Sequence, residues 1–278
     1  MVDVETQRGY AISAQQTFAQ ADLPDLTRME QYLYHLDTMR CELPPAVEYL
    51  AVDGAYAFVS FVTQAVDLKL QVKSILRCDA NLRWLYTGIQ KPRGRKRKYD
   101  GKVELSYHER LTFVERVQPD VDLYTAVVFH VSLKRTIRLA YLLNRTNPSK
   151  PRFVVLFSTN VEQDPLDIYH LYSLRFQVEF LFRDAKQFTG LVDCQARQCV
   201  KLEFHFNASF TALNLAKVQA LQQHHNGTPL IFSMASVKRR ALNEHLLDRF
   251  ICNLGLSPSL IKSHPNYEKL RNYGTIAA

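Results

Sequence analysis

From Leu70 to Phe157 the chain is rich in β-branched and aromatic residues, and at Asp164-Pro165 the pattern changes to a helical period that holds to about Phe188. That switch constrains the fold more than any other feature. Strand-like segments at 69–87 and 103–145 predict a β-rich block spanning about 68–150. Phe153-Val154-Val155-Leu156-Phe157 is a continuous apolar run that predicts a central strand, in a parallel position. Asp164 is the N-cap of the next helix, with Pro165 at its first position and Asp167 in its first turn, and Gly190 ends it. Ahead of the block, Val2–Val4 and Tyr10–Ser13 read as short strands around a Gln7-Arg8-Gly9 turn. Residues 25–41 read as a helix, 47–52 as a buried strand closed by Asp53-Gly54, and 55–66 as a helix. A long helix at about 197–223 and a helical tail from 235 complete the chain. Strands interleaved with helices indicate an α/β core.

The net charge is +8, and Lys91–Lys102 contributes +6 of it, with seven basic residues and one acid. Concentrated positive charge of this kind fits a polyanion, nucleic acid first, in a steeply salt-dependent contact through Arg95, Lys96, Arg97 and Lys98. The bland alternative is a solvated, solubilising loop. No apolar run is long enough for a membrane span and no charged-then-apolar leader opens the chain, so the expectation is a cytoplasmic protein with no membrane partner. Five cysteines at irregular spacing do not make a disulfide framework. Cys194 and Cys199 with His224 and His225 lack zinc-finger spacing.

The helix from 168 carries the chemistry. On one continuous α-helix, Tyr172, Arg175, Glu179, Arg183 and Lys186 fall within an arc of roughly 80°. Leu174, Val178, Leu181 and Ala185 form the neighbouring apolar stripe. Such a face is either a solvated ladder of Arg175–Glu179 and Glu179–Arg183 pairs or a metal-binding carboxylate among phosphate-holding cations.

Tyr172, Arg175, Glu179 and Lys186 match Tyr-x2-Arg-x3-Glu-x6-Lys, and here the chain resembles the DDE transposases of bacterial insertion sequences, insertion-sequence-4 type. Gln195-Ala196-Arg197, His205-Phe206 and Val52-Asp53-Gly54-Ala55-Tyr56 are also similar to blocks of that family, and the likeness covers about residues 1–220. The resemblance implies a ribonuclease-H-like core with a β-rich insertion. It implies Asp53 and Glu179 as catalytic, metal-binding carboxylates for Mg2+ or Mn2+. It implies that Tyr172, Arg175 and Lys186, with Arg183 beside them, contact transposon-end DNA. It divides the chain into core residues 1–67, an insertion at 68–150, core residues 151–225 and a tail at 226–278. Met1–Ser13 resembles the second strand of that core and its hairpin, so the first strand, with the first catalytic Asp, is expected to be missing; Asp3 does not have the context of that residue. The implied activity is DNA cleavage and strand transfer at transposon ends, impaired by this loss. The alternative is a non-catalytic product that binds ends, or pairs with itself or with full-length transposase and inhibits it. A different ribonuclease-H-like nuclease would need a complete acidic triad, which the sequence does not supply. The reading requires Glu179 and its cations to share a cleft with Asp53.

Overall fold

A computed structural model describes residues 1–19, 21–147, 152–222 and 232–276. Contacts divide them into two compact units, one of residues 17–176 and one of residues 1–16 with 177–278.

The first unit is built on an eight-stranded sheet. Its strands are β3 (Tyr49–Ala51), β4 (Gln71–Leu76), β5 (Leu82–Leu85), β6 (Tyr99–Lys102), β7 (Thr112–Gln118), β8 (Val121–His130), β9 (Arg135–Asn144) and β10 (Arg152–Ser158). Seven follow the order β3-β4-β10-β9-β8-β5-β6, and β7 pairs with β8 off that path. The predicted strand at 153–157 is central, but it pairs antiparallel with both β4 and β9. Among the described strands only β3 and β4 run parallel. The apolar run misled because burial on both faces gives the same composition in either direction.

Alternation along the strands shows that double burial. In β9, Ile137, Leu139, Tyr141 and Leu143 join one core cluster, and Ala140 and Leu142 join the cluster on the opposite face. In β4, Val72 and Leu76 join the first cluster and Ile75 packs on the second. Helices α1 (Arg28–Arg40) and α2 (Val59–Asp67) send Leu36, Val62 and Ala65 to the first. Helix α3 (Pro165–Ser173) sends Ile168, Leu166, Tyr169 and Tyr172 to the second. The sheet is therefore covered by helices on both faces, as an α/β core requires. α1 starts at the capping box of Thr27 and Glu30, and α3 at Asp164, whose carboxylate accepts from Leu166 N at 2.7 Å.

The second unit is helical, with α4 (Gln177–Phe188), α5 (Cys199–Gln222), α6 (Met234–Asn253), α7 (Pro258–Lys262) and α8 (Pro265–Arg271), and a two-stranded hairpin of β1 (Val2–Asp3) and β2 (Arg8–Gly9). Leu181 and Ala185 of α4 pack with Phe210, Leu213 and Ala216 of α5. The second hairpin strand is Arg8–Gly9, and Tyr10–Ser13 is not a strand. The segment from Ala11 to Gln16 is instead held by side chains of α5. Asn214 exchanges two bonds with Ala11 (3.2 and 2.6 Å), Asn207 two with Ala14 (2.9 and 2.8 Å), and Glu203 accepts from Gln16 N at 3.1 Å. Residues 203, 207 and 214 share one helix face, so their side chains form a polar ladder that takes the place of a partner strand. Gly9 lies where a Cβ would stand 3.0 Å from Gln177 Cβ, and its carbonyl accepts from buried Lys217 Nζ at 2.6 Å.

The predicted helix over 164–188 is not continuous. α3 ends at Ser173, a 3-10 turn takes up 174–176, and α4 begins at Gln177. The Ser173 hydroxyl donates to His170 O at 2.6 Å, competing with the backbone for that acceptor, which bends helices. The single wheel therefore does not apply to the whole signature. Val178, assigned to its apolar stripe, is 42% exposed. Among the described residues no helix is long and apolar enough to cross a membrane.

Candidate functional site

Asp53 follows β3, where the chain leaves the sheet. It caps the 3-10 turn Gly54–Tyr56, accepting from Ala55 N at 3.1 Å. Gly54 lets that turn lie against β4: a Cβ there would be 3.0 Å from Ile75 Cγ2. The Asp53 side chain is still 57% exposed, so one carboxylate oxygen is fixed by the turn while the group faces solvent.

Tyr172 and Arg175, from the end of α3 and the 3-10 turn after it, belong to the same unit. Arg175 Nη1 lies 4.0 Å from Asp53 Oδ2. Its guanidinium carbon is 5.8 Å from the ring centroids of both Tyr172 and Phe176, and its Nε is buried without a hydrogen-bond partner among the described residues. Burial raises the Tyr172 phenol above its ordinary pKa; Arg175 pulls against that and the Asp53 charge adds to it. The phenol therefore stays protonated, able to donate to an oxyanion. Sheet, turn and helix end thus gather an acid, a cation with an unsatisfied donor and a phenol, three of the residues picked out from the sequence.

Glu179, Arg183 and Lys186 lie in the other unit, on α4, and all three are exposed. Arg183 pairs with Asp184 at 3.0 Å and covers the Phe180 ring at 4.9 Å, not Glu179 a turn earlier. Glu179 and Lys186 occupy the first and last turns of α4.

The basic stretch Lys91–Lys98 joins β5 to β6, the last two strands at one end of the sheet order. Arg95, Lys96 and Lys98 are exposed. Arg97 is engaged: it donates to Tyr99 O at 3.0 Å and to Asp100 Oδ1 at 2.7 Å, and stacks 4.7 Å over Tyr86. Asp100 also binds Arg110, which lies 4.5 Å over half-buried Trp84. The sequence shows Asp100 only as the lone acid in a basic run; its role in tying down two arginines depends on which strands pair.

Oxygen donors such as the Asp53 carboxylate suit a hard divalent cation. Among the described residues no group of three His, Cys, Asp or Glu could hold a metal on its own. Cys194 and Cys199 are free thiols, and His224 and His225 lie outside the described residues.

A family profile for the transposase DDE domain matches residues 4–215, well over half of the chain. The match includes Asp53, Tyr172, Arg175, Glu179 and Lys186. No curated protein matches the chain.

Proposed function

The chain belongs to the transposase DDE domain family, and from that premise we propose that it is a catalytic-domain fragment of an insertion-sequence-4-type transposase with a ribonuclease-H-like core. Its reaction is DNA cleavage and strand transfer at element ends, with residues 68–150 as the β-rich insertion. One observation carries the reading: Asp53, at the strand-to-turn junction after β3, faces solvent with Arg175 at 4.0 Å and the protonated Tyr172 beside it. That is the equipment to place one phosphate of a DNA strand next to a carboxylate.

In this proposal Asp53 and Glu179 are ligands for Mg2+ or Mn2+. When bound, the metal neutralises the attacked phosphate and activates the nucleophile. Arg175 holds a nonbridging oxygen of the scissile or adjacent phosphate, and Tyr172 donates to a neighbouring one. Lys186 and Arg183 hold the strand further along, and Arg95, Lys96 and Lys98 add sequence-independent attraction.

We further propose that the first acid comes from a strand pairing with the free side of β3, and that without it the isolated chain is impaired. What supports this is the place of β3 at one end of the sheet order, bonded to β4 alone among the described strands. The same observation favours a second reading, a product that binds ends without cutting them and inhibits full-length transposase by pairing with it.

The test is a strand-transfer assay with Mg2+ and duplexes carrying the element's own ends. The isolated chain should bind and cut negligibly. A chain that also supplies that strand and its acid should cut, and lose at least about a thousandfold (roughly 4 kcal/mol) on Asp53→Asn or Glu179→Gln. Robust cutting by the isolated chain overturns the impairment. Unaltered cutting by either variant overturns the site. Inhibition of a full-length enzyme by the uncut chain supports the second reading.

A further inference from the structure

Ile89 is 96% exposed, the most exposed large apolar side chain among the described residues. A single exposed apolar residue is ordinary; here the surroundings hold it out. The Tyr86 hydroxyl donates to Ile89 O at 2.9 Å. Gly88 lies so close to that ring that a Cβ would stand 2.7 Å from its hydroxyl oxygen. Arg97 covers the ring face, and Gln90 closes the loop through two bonds to the Arg97 backbone at 2.7 and 2.9 Å. The segment 86–90 is thereby locked to residue 97, with Ile89 exposed in the same loop as the exposed cations Lys91, Arg93, Arg95 and Lys96.

We propose that Ile89 is a wedge that enters a base step of duplex DNA, with the neighbouring cations holding the flanking phosphates. This deepens the DNA-binding reading above and rests on it. Apolar side chains inserted between base steps partly unstack them and kink the duplex, and isoleucine is among the residues that do so. Pyrimidine–purine steps yield most easily and are the expected entry point. An anionic lipid surface also attracts cations and an apolar tip, but one isoleucine buries too little apolar surface to anchor a chain. The fixed geometry therefore favours DNA.

The test uses the full chain and a short duplex carrying 2-aminopurine at pyrimidine–purine steps, at low salt. Binding should raise 2-aminopurine fluorescence severalfold. Ile89→Ala should abolish that rise and weaken binding about tenfold while leaving the salt slope of log K unchanged; Ile89→Leu should restore both. An undiminished rise with Ile89→Ala, or binding with no rise in the wild type, overturns the wedge and leaves the loop as a phosphate contact. Failure of the wild type to bind any duplex overturns both the wedge and the DNA-binding reading. Ile89-dependent binding to phosphatidylserine vesicles without a fluorescence change on DNA overturns the wedge in favour of a lipid contact.

Discussion

Lys73 offers a test of how far the sheet excludes water. Its side chain is fully buried in β4, in register with Ala51 of β3, and its Nζ has no hydrogen-bond partner among the described residues. The amine lies 3.1 Å from the centroid of the Tyr49 ring, and Asp167 adds a favourable charge. Burial outweighs both and lowers its pKa to about 7. An unfolded lysine titrates near 10.4, so between pH 7 and 10 the unfolded chain binds more protons than the folded one. Stability therefore rises with pH across that window, and the slope disappears below about 7, where both states are protonated. The gain from pH 7 to 9 is about 2 kcal/mol, and the total cost of the buried amine at pH 7 has a ceiling of about 4 kcal/mol. Lys73→Met keeps the volume and removes the charge. Urea unfolding at several pH values should show the variant more stable than the wild type at pH 7, with the difference shrinking by about 2 kcal/mol at pH 9. Parallel pH profiles for the two proteins would refute the reasoning, because they would mean that the amine reaches water in the folded state.

Gly54→Ala should cost about 1–3 kcal/mol, since the new methyl meets Ile75 at 3.0 Å, and should lower end cutting by displacing Asp53; thermal melts and the strand-transfer assay report the two effects. Lys96→Ala and Lys98→Ala should each flatten the slope of log K against log salt by about 0.9 if each meets one phosphate, whereas Arg97→Ala should change the slope less and loosen the loop, seen as faster amide exchange at 86–90. Asn207→Ala and Asn214→Ala each remove two hydrogen bonds from the segment at Ala11–Ala14 and should cost about 1–3 kcal/mol each, with exchange protection lost at residues 11 and 14. Asp122, 3% exposed between Arg116 and Arg145 at 2.9 Å each, should lose about 1–3 kcal/mol on change to Ala, read by urea unfolding.

The elements legible in the sequence are those with strong local chemistry. The Asp164-Pro165 start of α3, the position of Asp53 at a strand end, and the strand-rich block all follow from caps, turn residues and side-chain alternation, and the structure contains each of them. The direction of the strand at 153–157 was not legible, because a strand buried on both faces has one composition whether its neighbours run parallel or antiparallel. The break at 174–176 was not legible either: Leu174-Arg175-Phe176 carries no proline or glycine, and only the bond from Ser173 to His170 O marks it.

By itself the sequence determined which side chains are available for chemistry: an acid ahead of a glycine, a spaced set of Tyr, Arg, Glu and Lys, and a cationic loop, all within a chain whose family match needs nothing beyond residue order. Only tertiary structure decided which of these are engaged and which are free. Arg97 is taken by Asp100 and Tyr86, and Ala11 and Ala14 by the asparagines of α5, while Arg175 keeps a buried donor without a partner among the described residues. The physical reason is that hydrogen bonds and ion pairs form between groups brought together by packing, often far apart in sequence, and local pattern has no information about that packing.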